Sequence, residues 1–347
     1  MRFFHSFKTK NNKLSKPTCM ITPDGNLHIY MVNVGQGDTT VIITPKGNVI
    51  VADAMRPSKL VKLLRDLGLK SKEPISQVVI THPHNDHFSG ATRLVNEFAI
   101  QQATVAPFWH TFGMGSPSYQ SLIGRFFEED TNVTFLSGYS RWYPDGAMTE
   151  RENQNQSEVD TDAPFIEMLG PTNGLIRMLE DANVFNTNHL SIMLRVRWRN
   201  FRMIITGDAQ MENWAFFDQE RMLEDKCQVL RASHHGSSNG TQWERLSRLN
   251  PTHVIVSSEP GMGHRLPDLT SSAVFLRYDN SNSRMVVITA DSGTIHLQVE
   301  PNGRRTMRCF HDSPAAMIDL SSPHPLTPQK NPTDWGELLN LRIGEMG

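Results

Sequence analysis

The chain has 347 residues, 38% of them hydrophobic, and its 34 Lys and Arg against 36 Asp and Glu leave a formal net charge of -2. That length buries one large core or two modest ones, with one domain carrying insertions as the expectation, and the charge balance excludes a global basic field for nucleic acid while leaving room for a local basic cleft. Cys19, Cys227 and Cys309 are widely spaced and leave one thiol over in any pairing, which excludes a disulfide scaffold, and no run approaches the roughly 20 apolar residues of a membrane span.

Residues 1–25 read as a polar lead-in. They are basic but lack an apolar core of signal-peptide length, so the expectation is a soluble, cytoplasmic protein with no membrane association. Residues 26–310 read as the folded domain. Its first runs, LHIYMVNV, TTVIIT and NVIVADA, are short, rich in Val and Ile, and separated by Gly35-Gln36-Gly37-Asp38 and Pro45-Lys46-Gly47-Asn48; they predict strands joined by tight turns. Ser58 to Leu67 has apolar residues at helical spacing and is closed by Gly68, predicting a helix on the sheet. The apolar run Ile75 to Ile80 predicts a buried strand, and Thr81-His82-Pro83-His84-Asn85-Asp86-His87 leaves its C-terminal end.

A helix is expected from Gly90 to Phe98 and a strand from Ala103 to Ala106. Residues 108–162 read as an insertion over the active-site face, with a helix near Tyr119 to Glu129 and the polar segment ENQNQSEVDTD; a lid and a plain loop fit it equally. Strands are expected again at FIEML, HLSIMLRVRW, FRMIIT, CQVLRA, HVIVSS, RMVVIT and TIHLQVE. Helices are expected at Gln210 to Glu224, Thr241 to Leu249 and Leu269 to Tyr278. Two sets of strands with helices between them suggest an α/β fold, a four-layer αβ/βα sandwich. Residues 311–347 are a Pro- and Ser-rich tail, read as an extended appendage, and docking of a protein partner through the insertion or the Trp335 to Ile343 end of the tail is an additional expectation.

Four metal-ligand side chains stand within six positions at His82, His84, Asp86 and His87. A lone histidine at a strand end is usually a solvated or hydrogen-bonded structural residue, but this density at one strand end points to a metal site. His82 and His84 suit one cation and Asp86 and His87 a second, with imidazole and carboxylate being ordinary ligands of zinc and manganese. Three later segments offer more ligands. Asp208 follows the strand FRMIIT, where its two oxygens suit a bridge between cations, although a turn aspartate is the ordinary reading of Gly-Asp after a strand. Either imidazole of the His234-His235 pair suits the second cation. His189, opening HLSIMLRV, suits the first, although a surface histidine has the same look.

The run His82-Pro83-His84-Asn85-Asp86-His87 resembles the HxHxDH signature of the metallo-β-lactamase superfamily, with Asp208 and His234-His235 in the expected order behind it. A narrower resemblance, to the soluble domain of ComEC-type competence proteins, rests on Val34-Gly35-Gln36-Gly37-Asp38, Ala52-Asp53, Thr206-Gly207-Asp208, His234-His235-Gly236-Ser237 and Gly263-His264. It runs from about Leu27 to Val299. Three positions depart from the subgroup: His84 stands where an aspartate is common, His189 lies within what is elsewhere an asparagine-serine segment, and Asp53-Ala54-Met55 replaces Asp-Gly-Gly. No membrane channel segment is visible, so DNA uptake is not the expectation.

The superfamily resemblance implies two divalent ions, Zn or Mn, holding a water or hydroxide between them as nucleophile. The ligand assignment it implies is His82, His84 and His189 for the first ion, Asp86, His87 and His235 for the second, and Asp208 as the bridge. Asp86 also steers the nucleophile, and His234 or His264 protonates the leaving oxygen. The ComEC-type residues favour a phosphodiester, DNA or RNA. Arg195, Arg197, Arg199 and Arg202, with Lys226, Arg231, Arg245, Arg248 and the interleaved Trp198, Trp214 and Trp243, agree with a nucleic-acid substrate, although RVRWR equally describes the solvent face of an edge strand. Two other readings stand beside it: hydrolysis of a small ester, lactone or thioester, and a metal-binding sensor subunit of a bacterial defence system with little turnover.

Overall fold

A computed structural model describes residues 21–107, 116–146, 163–223, 226–260, 265–281, 284–311, 318–319, 333–335, 337–338 and 340. Most of the lead-in, the segment ENQNQSEVDTD, His264 and most of the tail lie outside the described residues. Strands β1 (Leu27–Met31), β2 (Thr40–Ile43) and β3 (Val49–Ala52) form an antiparallel meander, followed by α1 (Pro57–Asp66), β4 (Pro74–Ile75), β5 (Gln77–Ile80), the single turn α2 (Asn85–Phe88) and α3 (Ala91–Glu97). Next come β6 (Ala99–Ile100), β7 (Gln102–Val105), α4 (Pro117–Glu128), β8 (Asn132–Phe135), β9 (Tyr139–Trp142), β10 (Phe165–Leu169) and α5 (Asn173–Asp181). The second half holds β11 (Met193–Trp198), β12 (Phe201–Ile205), α6 (Met211–Gln219), β13 (Val229–Arg231), α7 (Trp243–Leu249), β14 (His253–Val256) and α8 (Leu269–Asp279). It closes with β15 (Met285–Ile288), α9 (Thr289–Ser292), β16 (Thr294–Val299), β17 (Arg305–Phe310) and β18 (Ile318–Asp319).

Two large sheets result, in the orders β18-β17-β16-β1-β2-β3-β5-β7-β8 and β15-β14-β13-β12-β11-β10-β9. Period-two alternation decides what lies between them. Ile29, Met31, Ile50 and Val79 of the first sheet meet Ile166, Leu194, Val196, Met203 and Val229 of the second in one buried cluster. The opposite faces are covered by helices: Leu60 and Leu64 of α1, Leu94 of α3 and Phe126 of α4 on the first sheet, and Trp214 of α6, Leu246 of α7 and Phe275 of α8 on the second. Helices, sheet, sheet and helices make the four layers of the expected αβ/βα sandwich, a metallo-β-lactamase fold.

Two segments expected outside the core of the fold pack into it. Within the expected insertion, residues 116–146 join the sheets: α4 packs on the first sheet, β8 is that sheet's last strand and β9 is the last strand of the second. The strands are solvent-facing edges with little apolar patterning, β8 being largely exposed, so periodicity did not reveal them. Within the tail, Trp335 and Leu338 belong to the core beneath α8, where the Trp335 indole donates to the Val286 carbonyl at 2.7 Å. Trp335 is therefore a core residue of this domain.

Candidate metal centre

Strand β5 of the first sheet and the parallel strands β12 and β13 of the second end where ligand-type side chains meet, each end delivering its own. Beyond β5 the chain bends at His82 and Pro83, returns to an extended conformation at His84 and then enters α2, which carries Asp86 and His87. Beyond β12, Asp208 is fixed by its backbone N–H to the Ser191 hydroxyl at 3.1 Å. Beyond β13, His234 and His235 take consecutive left-handed backbone conformations (φ 51 and 52). That uncommon pairing in non-glycine residues directs the two imidazoles to different sides of Asp208.

The contacts sort into two groups around Asp208. His87 Nε2 lies 3.1 Å and His235 Nε2 3.4 Å from Asp208 Oδ1, the two imidazole nitrogens are 3.3 Å apart, and Asp86 Oδ2 lies 3.3 Å from His235 Nε2. On the other side, His82 Nε2 is 3.6 Å and His234 Nε2 3.7 Å from Asp208 Oδ2, with His84 Nδ1 3.1 Å from His82 Nε2. A tetrahedral cation with bonds of ~2.0–2.1 Å sets its ligand atoms ~3.3–3.4 Å apart, and the contacts around Asp208 lie near that spacing, with His82, His87 and Asp208 offering ligand atoms within 4.8 Å of one another, as do Asp38, His87 and His235. Asp208 Oδ1 is buried and accepts no well-directed hydrogen bond, which also suits an oxygen meant for a metal. The residues present around Asp208 fit divalent metal ions.

Hydrogen bonds behind the ligands fix which ring nitrogen carries the proton. Asp53 accepts from the Thr81 N–H and hydroxyl and from His87 Nδ1, each at 2.8 Å. The Thr81 hydroxyl, its proton committed to Asp53, accepts from His82 Nδ1 at 3.2 Å. His235 Nδ1 donates to the Ser257 carbonyl at 2.9 Å, and His234 Nδ1 donates to the Asn239 side-chain oxygen at 2.9 Å. In His82, His87, His234 and His235, Nε2 is thus the nitrogen turned toward the centre. Burial opposes charge on His235, but the Asp208 and Asp38 carboxylates outweigh it and push its pKa up to about 10. His87 is likewise lifted well above the usual imidazole value, burial being outweighed by Asp208 and Asp53. Burial disfavours the Asp208 charge, yet His87 and His235 hold that carboxyl well below the usual range. Burial and His87 lower His82 well below the ordinary value.

His189 is not brought to the centre. Residues Thr187–Leu190 form a 3-10 turn instead of the start of β11, and His189 Nδ1 accepts the Asn186 N–H at 3.0 Å, closing a reciprocal cap. Its Nε2 lies 3.2 Å from Glu212 Oε2. The neighbouring Asn188 reaches the site instead, donating from Nδ2 to His234 Nε2 at 3.2 Å. His234, with Nδ1 bonded to Asn239 and Nε2 3.7 Å from Asp208 Oδ2, is the imidazole that reaches this side of the centre. His264 lies outside the described residues.

Sequence reasoning quoted Asp38 and Asp53 only as motif residues. Both are buried beneath the ligands: Asp53 behind Thr81 and His87, and Asp38 with Oδ1 3.2 Å from His235 Nδ1. The signal for Asp38 lies in its glycine neighbour: Gly37 has φ 128, and a Cβ there would meet the Asp86 backbone oxygen at 2.6 Å, so only glycine lets this loop close on the histidine loop.

The basic and aromatic residues read as a nucleic-acid surface are largely engaged internally. Glu167 Oε2 takes Arg195 at 2.5 Å and Arg197 at 3.5 Å, Asp218 pairs with Arg245 and Arg248, and Arg231 is buried. Trp198 and Trp214 lie in the cores, and Trp243 is covered by the Arg277 guanidinium at 3.7 Å.

A family model for the metallo-beta-lactamase superfamily matches residues 32–257, and the chain belongs to that superfamily, whose fold serves metal-dependent hydrolases and binds divalent metals. It is 22% identical over 293 residues to Recombination protein 2 of Haemophilus influenzae, covering 82% of this chain and 29% of that protein. It is 21% identical over 290 residues to ComE operon protein 3 of Bacillus subtilis, covering 78% of this chain and 33% of that protein. The chain thus spans about a third of the length of these curated relatives, which accord with the ComEC-type resemblance. Among solved structures it is similar to Igni18, a metallo hydrolase from Ignicoccus hospitalis, with TM-score 0.43 and 12% identity over 82% of this chain and 99% of that one. It is also similar to CmlA, a diiron beta-hydroxylase from Streptomyces venezuelae, with TM-score 0.48 and 11% identity over 80% of this chain and 55% of that one. Among the described residues no helix is long and apolar enough to cross a membrane.

Proposed function

We propose that the chain is a binuclear metal-dependent phosphodiesterase acting on DNA or RNA. The observation that carries the reading is the division of ligand atoms about Asp208, His82, His84 and His234 on one side and Asp86, His87 and His235 on the other. Mixed imidazole and carboxylate donors suit zinc and manganese. When bound, two such ions supply Lewis acidity, drawing the pKa of water toward neutrality and offsetting charge on a phosphodiester. The similarity to Recombination protein 2 and ComE operon protein 3 over most of this chain supports a nucleic-acid substrate.

The chain's own residues divide the remaining work. Asp208 keeps the two groups in register. Asp86 is the most solvent-accessible carboxylate of the cluster, and although burial alone would raise its pKa, His235 and His87 hold it below the usual carboxylate range. It is therefore ionised across the neutral range and placed to accept a hydrogen bond from an attacking water and steer it. Asp53 and Asp38 orient His87 and His235 from behind.

Hydrolysis of a small ester, lactone or thioester is the second reading, and the internal engagement of the arginines by Glu167 and Asp218 favours it. One panel separates the two: single- and double-stranded DNA, RNA, a generic phosphodiester, a lactone and a thioester offered to protein loaded with Mn or Zn. Metal-dependent cleavage of a nucleic acid supports the proposal. Turnover of the lactone or thioester alone overturns it.

A further inference from the structure

Beneath the centre lies a buried arginine that no step above uses. Arg231 is the last residue of β13, is 1% exposed, and pairs through Nη2 with Asp38 Oδ1, while its Nε and Nη1 have no partner among the described residues. A guanidinium is rarely sealed in a protein interior, and removing one partner of such a pair strands the other charge. Asp38 belongs to the first sheet's β1–β2 connection and Arg231 to the second sheet, so the pair ties the two halves of the sandwich directly below the site.

The same Asp38 Oδ1 lies 3.2 Å from His235 Nδ1, whose ring is also held by the Ser257 carbonyl at 2.9 Å. Ser257 in turn donates its hydroxyl to the Gly37 carbonyl at 2.7 Å, next to Asp38. His235 is therefore oriented by a closed set of contacts in which, among the described residues, Arg231 supplies the guanidinium charge. A carboxylate that backs a ligating imidazole fixes the ring and strengthens it as a donor, and such backing groups matter nearly as much as the ligands. We propose that Arg231, acting through Asp38, is a positioning residue that sets the affinity of the second cation site, formed by Asp86, His87, Asp208 and His235, while leaving the first site unaffected. The argument is geometric: the guanidinium and the His235 imidazole meet at the same Asp38 Oδ1, while Oδ2 has no partner among the described residues, so removing the guanidinium takes away the charge that holds Oδ1 in place and lets the carboxylate rotate off Nδ1. The inference rests on the two-cation reading above.

The test is competitive titration of zinc against a chromophoric chelator, with metal content and the circular dichroism spectrum recorded in parallel, for the full chain and for Asp38→Asn and Arg231→Lys. The full chain is expected to bind two ions; fewer would contradict the two-cation reading itself and not this inference alone. Given two, both variants are expected to lose about 10- to 100-fold in affinity at one site, as loss of an outer-shell partner does, with the other site and the spectrum unchanged. Retention of both affinities in both variants overturns the proposal, and so does an equal loss at both sites, which marks a merely structural role. If Arg231→Lys does not fold, the near-isosteric Asp38→Asn decides by the same criteria.

Discussion

At the level of single residues, it is His234 and not His189 that turns toward the centre. His189 spends both ring nitrogens on Asn186 and Glu212, whereas His234 turns Nε2 toward Asp208. His234→Ala is expected to remove the first cation and lower turnover by at least about 100-fold, while His189→Ala keeps both cations and costs about 1 kcal/mol through the lost cap; metal analysis beside thermal melting separates the two. Asp86→Ala should leave the fold intact and cut hydrolysis by about 10²–10⁴-fold, and retained activity in a metal-loaded sample would remove Asp86 from the mechanism. The histidine loop was legible because its ligands are adjacent in sequence. The His189 position was not, because a 3-10 turn of four residues decides whether residue 188 or 189 faces the centre, and hydrophobic alternation carries no information about that register. Asp38 was hidden for a different reason, since it reaches His235 only through the packing of one sheet on the other.

Among the elements, β9, β10 and β11 are joined on their outer face by Glu167, which is 1% exposed and takes Arg141 at 2.9 Å, Arg195, Arg197 and the Tyr139 hydroxyl. Burial would raise the Glu167 pKa, but Arg195 and the other donors outweigh it and bring it down to about 2 from an ordinary 4.5. Because the folded value lies below the unfolded one, this contribution to stability is fully present above about pH 4.5 and is lost as the pH falls from there through about 2. Glu167→Gln should therefore flatten the acid limb of stability against pH. It should also cost about 2–4 kcal/mol near neutrality, less than a wholly buried pair would lose because Arg141 and Arg197 keep part of their hydration. Urea unfolding at several pH values checks both statements, and an unchanged acid limb would contradict the first. The arginines of RVRWR were legible as alternating residues, but not as partners of a carboxylate two strands' worth of sequence away. Strands β8 and β9 were illegible for a related reason: at an exposed sheet edge the hydrogen-bonded ladder, not apolar alternation, makes the strand.

Over the whole molecule, the two sheets hold the metal-ligand loops together because β5, β12 and β13 end there, and short Val- and Ile-rich runs made that architecture readable from the sequence. The far end of the chain participates as well. Trp335 packs against Phe275 with ring centroids 5.3 Å apart, so Trp335→Ala should destabilise the domain by about 3 kcal/mol or more as a core truncation, with little change at the ligand loops. A melt unchanged by that substitution would show that the tail does not belong to the core. The most direct test of the account is an anomalous difference map from crystals loaded with zinc or manganese. The account predicts two peaks flanking Asp208, one among His82, His84 and His234 and the other among Asp86, His87 and His235, with neither at His189. A single peak, or one ligated by His189, would contradict it.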